Sequence, residues 1–207
     1  MKPCSVLLLL LLSVVNFVGC AVGPFSEGQT ARSLKKGQLE IVTQLEAIED
    51  EDGVNASPVG HIQYGVSDRF DISAKTEFQT YSFGSKYSFV NSMDRGYSAA
   101  TIFNLILASS QISYQMGIIQ SYKTKYFEPY ISVKYNLANI NPADFDKTFF
   151  KSSSDLSFNF LTHSYGLKIW ITQDVSVGPE LTILEKPSGS TEFKYKHLCG
   201  LLVSIKF

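Results

Sequence analysis

Nine charged residues fall on the polar side of short alternating stretches of the chain: Glu40, Asp71, Lys75, Glu77, Lys86, Glu128, Lys134, Lys168 and Glu180. In extended segments such spacing gathers them on one face. Five carboxylates then meet four ammonium groups. Near-balance of the two signs favours ion pairing among them, whereas a selective pore calls for rings of one sign. The histidines His61, His163 and His197 lack a metal-binding spacing. His163 and Ser164 are neighbours, so on a strand they point to opposite faces and cannot act as base and nucleophile. The acidic run Glu49-Asp50-Glu51-Asp52 lacks the ligand spacing of a calcium loop and reads as a solvated surface. The glycines are scattered singly, so no phosphate-binding loop is present. No catalytic, cofactor or metal site is therefore assigned.

The elements that position these charges are strands. Arg69–Gln79 sets Phe70, Ile72, Ala74, Thr76 and Phe78 against Asp71, Ser73, Lys75, Glu77 and Gln79. Thr80–Phe89 sets Tyr81, Phe83, Tyr87 and Phe89 against Ser82, Gly84, Lys86 and Ser88. Phe127–Leu137 and Val175–Ile183 alternate in the same way, and the chain closes on Phe193, Tyr195, Leu201, Val203, Ile205 and Phe207 along one face. Weaker alternation marks Gln38–Ile48, Val59–Tyr64, Tyr97–Ala108, Gln111–Gln120 and Leu156–Ile171. The last loses phase between Phe160 and Tyr165, which predicts a bulge or a register error there. The sum is about ten strands, with eight to twelve in range, and most run near the length a tilted membrane strand needs.

Composition agrees. Charged residues make up 18% and aromatics 13%, yet mean hydropathy is only +0.04. A bundle of membrane helices would be far more apolar. A membrane β-barrel conceals its signal, because lipid-facing and lumen-facing residues cancel in the average. A net charge of −1 gives no basic field for nucleic acid. Short turns at Gly65–Asp68 and Thr172–Asp174, modest ones at Asn91–Gly96 and Ser121–Lys125, and longer loops at Glu49–Ser57, Asn139–Asp155 and Glu185–Glu192 put all three long loops at one end, which also carries two short connections, near Thr80 and at Ser109-Ser110. The fold expected is all-β: an antiparallel, up-and-down transmembrane β-barrel. Its lumen would be filled by a salt-bridged, hydrogen-bonded network. Aromatics at segment ends (Tyr64, Tyr81, Phe89, Tyr97, Tyr126, Phe127, Trp170 and Phe207) fit interfacial girdles.

The front of the chain reads as an export address. Lys2 precedes an apolar run from Val6 to Val15 that is too short to span a bilayer as a helix. Gly19-Cys20 resembles the lipobox of bacterial lipoproteins, with Phe17 in place of the usual Leu. That resemblance implies a signal peptide over residues 1–19, acylation of Cys20 with palmitate-type chains, and a lipidated tether over 20–36 ahead of a barrel domain over 37–207. An ordinary signal peptide cut near Gly19 or Ala21 is the alternative. Ala21, rather than Asp, favours sorting to the outer membrane.

Thr30-Ala31-Arg32-Ser33-Leu34-Lys35-Lys36-Gly37, Tyr64-Gly65-Val66-Ser67-Asp68-Arg69-Phe70-Asp71 and the terminal Phe207 resemble a broad group of small bacterial outer-membrane lipoproteins with a barrel domain. The resemblance implies contact with outer-membrane lipid, with the lipoprotein-sorting machinery, and with the barrel-assembly machinery, for which Phe207 would be the signal. An even strand number puts both termini, and an anchor on Cys20, at the periplasmic leaflet. The role implied is structural, surface-related or concerned with permeability, without catalysis. Two alternatives stay open: a lipid-tethered periplasmic barrel of lipocalin type that holds an apolar ligand, and an enzyme that modifies membrane lipid.

Overall fold

The structure, a computed structural model, describes residues 26–50, 53–77, 80–108, 111–139, 157–185 and 197–207. Cys20 and the signal segment lie outside the described residues, as do Phe78, Gln79, Phe193 and Tyr195. Among the described residues ten strands form one closed barrel: β1 (Leu39–Asp50), β2 (Gly53–Ser67), β3 (Phe70–Glu77), β4 (Thr80–Val90), β5 (Gly96–Ala108), β6 (Gln111–Lys123), β7 (Phe127–Asn139), β8 (Ser157–Trp170), β9 (Val175–Glu185) and β10 (His197–Lys206). Each strand pairs antiparallel with its neighbours in sequence, and β1 pairs with β10 to close the ring. Closure removes the open edges that a lipid solvent would not tolerate. The expected all-β barrel is the fold observed.

The barrel has two distinct ends. The turn end carries the start of β1, the terminal Phe207 and the connections β2–β3, β4–β5, β6–β7 and β8–β9. Leu39 and Phe207 exchange backbone hydrogen bonds there, at 3.1 and 2.8 Å. The far end carries the other connections. Of these, residues 140–156 and 186–196 are the longest, in line with two of the expected loops.

Three expectations need correction. Glu49–Ser57 is not a long loop, because β1 and β2 stay paired out to Asp50 opposite Gly53. The sequence there is polar on both faces, and paired strands show no alternation where no apolar solvent imposes one. The break between Phe160 and Tyr165 is absent, since β7 and β8 pair without interruption from Phe127–Ile169 to Asn139–Ser157. Phe160 simply points into the lumen, 1% exposed, where the pattern called for a polar residue. Trp170 likewise faces inward and is buried, so it belongs to no girdle. Register shifts occur instead between Gly65 and Ser67 and between Ser88 and Val90, beside turns.

The outside is apolar and the inside polar. Leu45, Ile72, Phe83, Phe103, Ile118, Ile131 and Leu201 are exposed, while Glu40, Asp71, Lys86, Glu128, Lys134 and Lys168 are buried. A water-soluble barrel that binds apolar ligands has the reverse polarity. An apolar skin of this extent on a monomer requires an apolar solvent. Tyr64, Phe89, Tyr97, Tyr126, Phe127 and Phe207 are exposed near the turn end, and Tyr81 near the far end, as girdle residues would be.

An arginine at Ile131 or Val133 places a charge on this skin, at a cost of about 2–4 kcal/mol if near the midplane. Either substitution is expected to abolish the folded band whose gel mobility shifts on boiling. A normal band for both would refute the apolar exterior.

Candidate functional site: a threaded lumen

The strongest concentration of polar groups is inside the barrel, and part of it comes from outside the barrel wall. Residues Ser26 to Leu34 are all buried. They run along the lumen as an irregular thread, bent at Gln29, Ala31 and Arg32, and join β1 through a turn at the barrel's turn end. Gln38 N–H donates to the Lys35 carbonyl at 2.9 Å, and Gly37 lies between them at φ 84°, the left-handed conformation that glycine tolerates. Gly37 N–H then donates to the Gly65 carbonyl at 2.7 Å. The thread passes so close to Gly65 that a Cβ there would stand 2.3 Å from the Lys35 carbonyl oxygen.

A buried peptide must have its backbone groups satisfied. Wall side chains do this. Lys36 N–H donates to Asp68 Oδ1 at 3.0 Å in the β2–β3 turn. Leu34 N–H reaches both oxygens of Asp71, at 3.2 and 3.3 Å. Lys86 Nζ donates to the carbonyls of Thr30 and Arg32, both at 2.9 Å, and pairs with Asp71 at 3.1 Å. Further in, the successive N–H groups of Glu27 and Gly28 converge on the two oxygens of Glu180, at 2.8 and 2.9 Å. Gly28 is at φ 64°, and two neighbouring N–H groups aimed at one carboxylate form an anion-holding concavity. The Ser26 carbonyl accepts from Lys75 at 2.6 Å and from Lys134 at 2.9 Å.

The thread also carries its own charges. Arg32 pairs with Glu128, which also accepts from Trp170 Nε1 at 3.0 Å and Ser121 Oγ at 3.3 Å. Glu27 lies 3.4 Å from Lys134. Lys75 pairs with Glu77 at 2.6 Å, and Ser26 Oγ donates to the same carboxylate at 2.6 Å. Within the wall itself, Lys168 pairs with Glu40 at 2.7 Å, and Ser204 donates to Glu40. All nine charged residues singled out from the sequence therefore sit inside, and each contacts an opposite charge or the thread. They form two tiers. Glu40, Asp71, Lys86, Glu128 and Lys168 lie toward the turn end, and Lys75, Glu77, Lys134 and Glu180 lie deeper.

Between the tiers is an apolar girth of Val42, Ala100, Ile102, Ile119, Tyr130 and Leu202 around Ala31 of the thread. Tyr130 fills the space above Gly166, where a Cβ would lie 2.0 Å from its ring, and its hydroxyl donates to Glu180. The polar cavity beside Ser26, lined also by His61, Lys75, Gln115 and Lys134, has a volume of about 10 Å³, room for about one water.

Other sequence-selected residues behave differently. His163 lies on the outer side and touches Glu185 at 3.0 Å, while Ser164 is buried and meets Thr182 at 3.0 Å, so the two do not meet. Phe207 is exposed at the turn end. Among the described residues no group of His, Cys, Asp and Glu is placed to hold a metal ion. Sequence reasoning missed the thread, the inward Glu46, and the stacking of Lys123 and Lys206 on Trp170, with ammonium groups 3.9 and 4.6 Å from the ring centre.

No protein-family model and no curated protein matches the sequence. Solved structures do match the fold. The NanC porin superposes with a TM-score of 0.54 at 11% identity, covering 82% of this chain and 100% of that one. An outer membrane channel from Pseudomonas putida F1 gives 0.52 at 11% identity, covering 90% and 100%. Identity this low conveys the fold alone.

Ser33 Oγ lies 2.7 Å from Ser88 Oγ on β4. A Ser33→Cys/Ser88→Cys pair should therefore form a disulfide in an oxidising compartment, seen as altered mobility on a non-reducing gel. Failure to cross-link would remove the thread from the lumen. Glu128→Ala leaves Arg32 buried without its carboxylate, with an expected loss of about 3–5 kcal/mol in urea unfolding. The double change Arg32→Met/Glu128→Gln keeps an acceptor for Trp170 and should cost much less.

Proposed function

We propose that this protein is a lipid-anchored barrel of a bacterial outer membrane whose lumen is held shut by its own N-terminal segment. Its role is structural and surface-related, with the thread as the block on a path that small polar solutes would otherwise take. The observation that carries this reading is the thread itself: nine consecutive buried residues, tied at intervals to charges on the wall. A wall lined with balanced charge, once vacated, offers a hydrated path of roughly the width of an extended peptide. The porin and the channel that share the fold support a permeability role, and the apolar exterior supports a membrane location.

The lipoprotein reading rests on Gly19-Cys20, with Cys20 as the acylated residue. Phe207, exposed beside the β1–β10 seam, is proposed as the assembly signal. A lipocalin-like role is disfavoured by the polarity of the two faces. A lipid-modifying role finds no support in the geometry of His163 and Ser164.

Conductance in planar bilayers tests the proposal. The intact protein should be silent, and a form lacking residues 26–33 should give discrete current steps. The Ser33→Cys/Ser88→Cys form should stay silent while oxidised. Sustained conductance by the oxidised form would refute a shut lumen. A silent deletion form that is correctly folded would eliminate the permeability role and leave the structural one.

A further inference from the structure

The direction of the thread bears on where the N-terminal anchor lies. Lys36 is fixed to Asp68 at the turn end, Leu34 to Asp71 near the start of β3, and Ser26 to Glu77, the last residue of β3. Read from Lys36 back to Ser26, the chain climbs from the turn end past the middle of the barrel. Lys134, whose ammonium holds the Ser26 carbonyl, lies seven positions into β7 from Phe127 and five from its end at Asn139.

Tilted membrane strands rise about 2.5 Å per residue along the barrel axis. Ser26 thus lies roughly 18 Å from the turn end and roughly 13 Å from the far end of β7. Five residues, and so six chain steps, separate Cys20 from Ser26, a reach of at most about 20 Å. The far rim is within that reach. A return to the turn end would use nearly all of it, leave no residues for a reversal, and need space for a second chain in a lumen with room for about one water beside Ser26.

We infer that the chain threads its own barrel completely, so that Cys20 emerges at the far end and its acyl group anchors in the outer leaflet, on the cell surface. The inference rests on the lipid-anchored reading above, and on the rule that short turns face the periplasm and long connections the exterior. It replaces the periplasmic anchor that an even strand number alone would suggest. Even strand parity places the start of β1, but here the chain before β1 turns back through the barrel.

The test compares two epitope insertions in the full-length protein, one after Val22 and one in the β4–β5 turn beside Asp94. Each is probed with antibody on intact and on permeabilised cells, after heat-modifiable mobility has shown that both forms are assembled. The expected result is opposite sides: the first tag bound on intact cells, the second only after permeabilisation. Both tags on one side would overturn the inference. A Cys199→Ser/Val22→Cys form, labelled with a membrane-impermeant maleimide, asks the same question without an insertion. Labelling of intact cells supports the inference, and labelling only after permeabilisation refutes it. Incorporation of an alkynyl palmitate that is lost in Cys20→Ala isolates the lipid. Absence of that label from the unaltered protein would sink the anchor, while the tags still decide the direction of the thread.

Discussion

Charge must go inside a membrane barrel, and once inside it must be neutralised without water. Every other feature of this molecule follows from that constraint. Carboxylates and ammonium groups on the strands turn toward the lumen because the lipid face rejects them. A ten-stranded wall is wide enough that facing charges do not all reach one another. The thread lies between them. Its carbonyls take the ammonium groups of Lys75, Lys86 and Lys134, and its N–H groups take the carboxylates of Asp71, Glu77 and Glu180. A peptide backbone offers both polarities at every residue, which suits it to a wall carrying both signs.

The thread and the wall are therefore interdependent in energy as well as in shape. A buried pair of charges contributes little compared with an apolar replacement, but one member left alone is costly. Arg32 shows the principle at its strongest, since its partner Glu128 is fully buried and also serves Trp170 and Ser121. The apolar girth around Ala31 separates the two charged tiers. Selection of a filled lumen over an open one is thus built into the inner face, residue by residue.

The strands were legible because a wall between lipid and a polar lumen imposes a period of two, and Asp71 to Glu77 or Phe127 to Leu137 display it plainly. The charged inner face could be read from the same alternation. Legibility failed where that contrast lapses. Phe160 and Trp170 are large aromatics that serve the lumen, so they looked like an interruption and a girdle residue. The outer part of the β1–β2 hairpin lacks alternation, so it looked like a loop. The thread has no period, because wall contacts fix it on all sides, and Ser26 to Ser33 read as a polar linker. One signal was available. Ser82, Ser88, Ser121, Ser132, Ser164, Ser176, Thr182 and Ser204 all face inward. A ten-stranded wall lined so often with small side chains cannot fill its own centre.

The β1–β10 pairing joins strands from opposite ends of the chain, whereas every other pairing joins sequence neighbours. Its loop-closure cost is the largest of the ten, which makes it the natural last seam to form. β1 is also the strand that continues, through the Gly37 turn, into the thread. Seating the thread and sealing the ring thus involve the same strand in the same movement. That connectivity favours a wall that wraps around its filament over a finished ring that is filled afterwards.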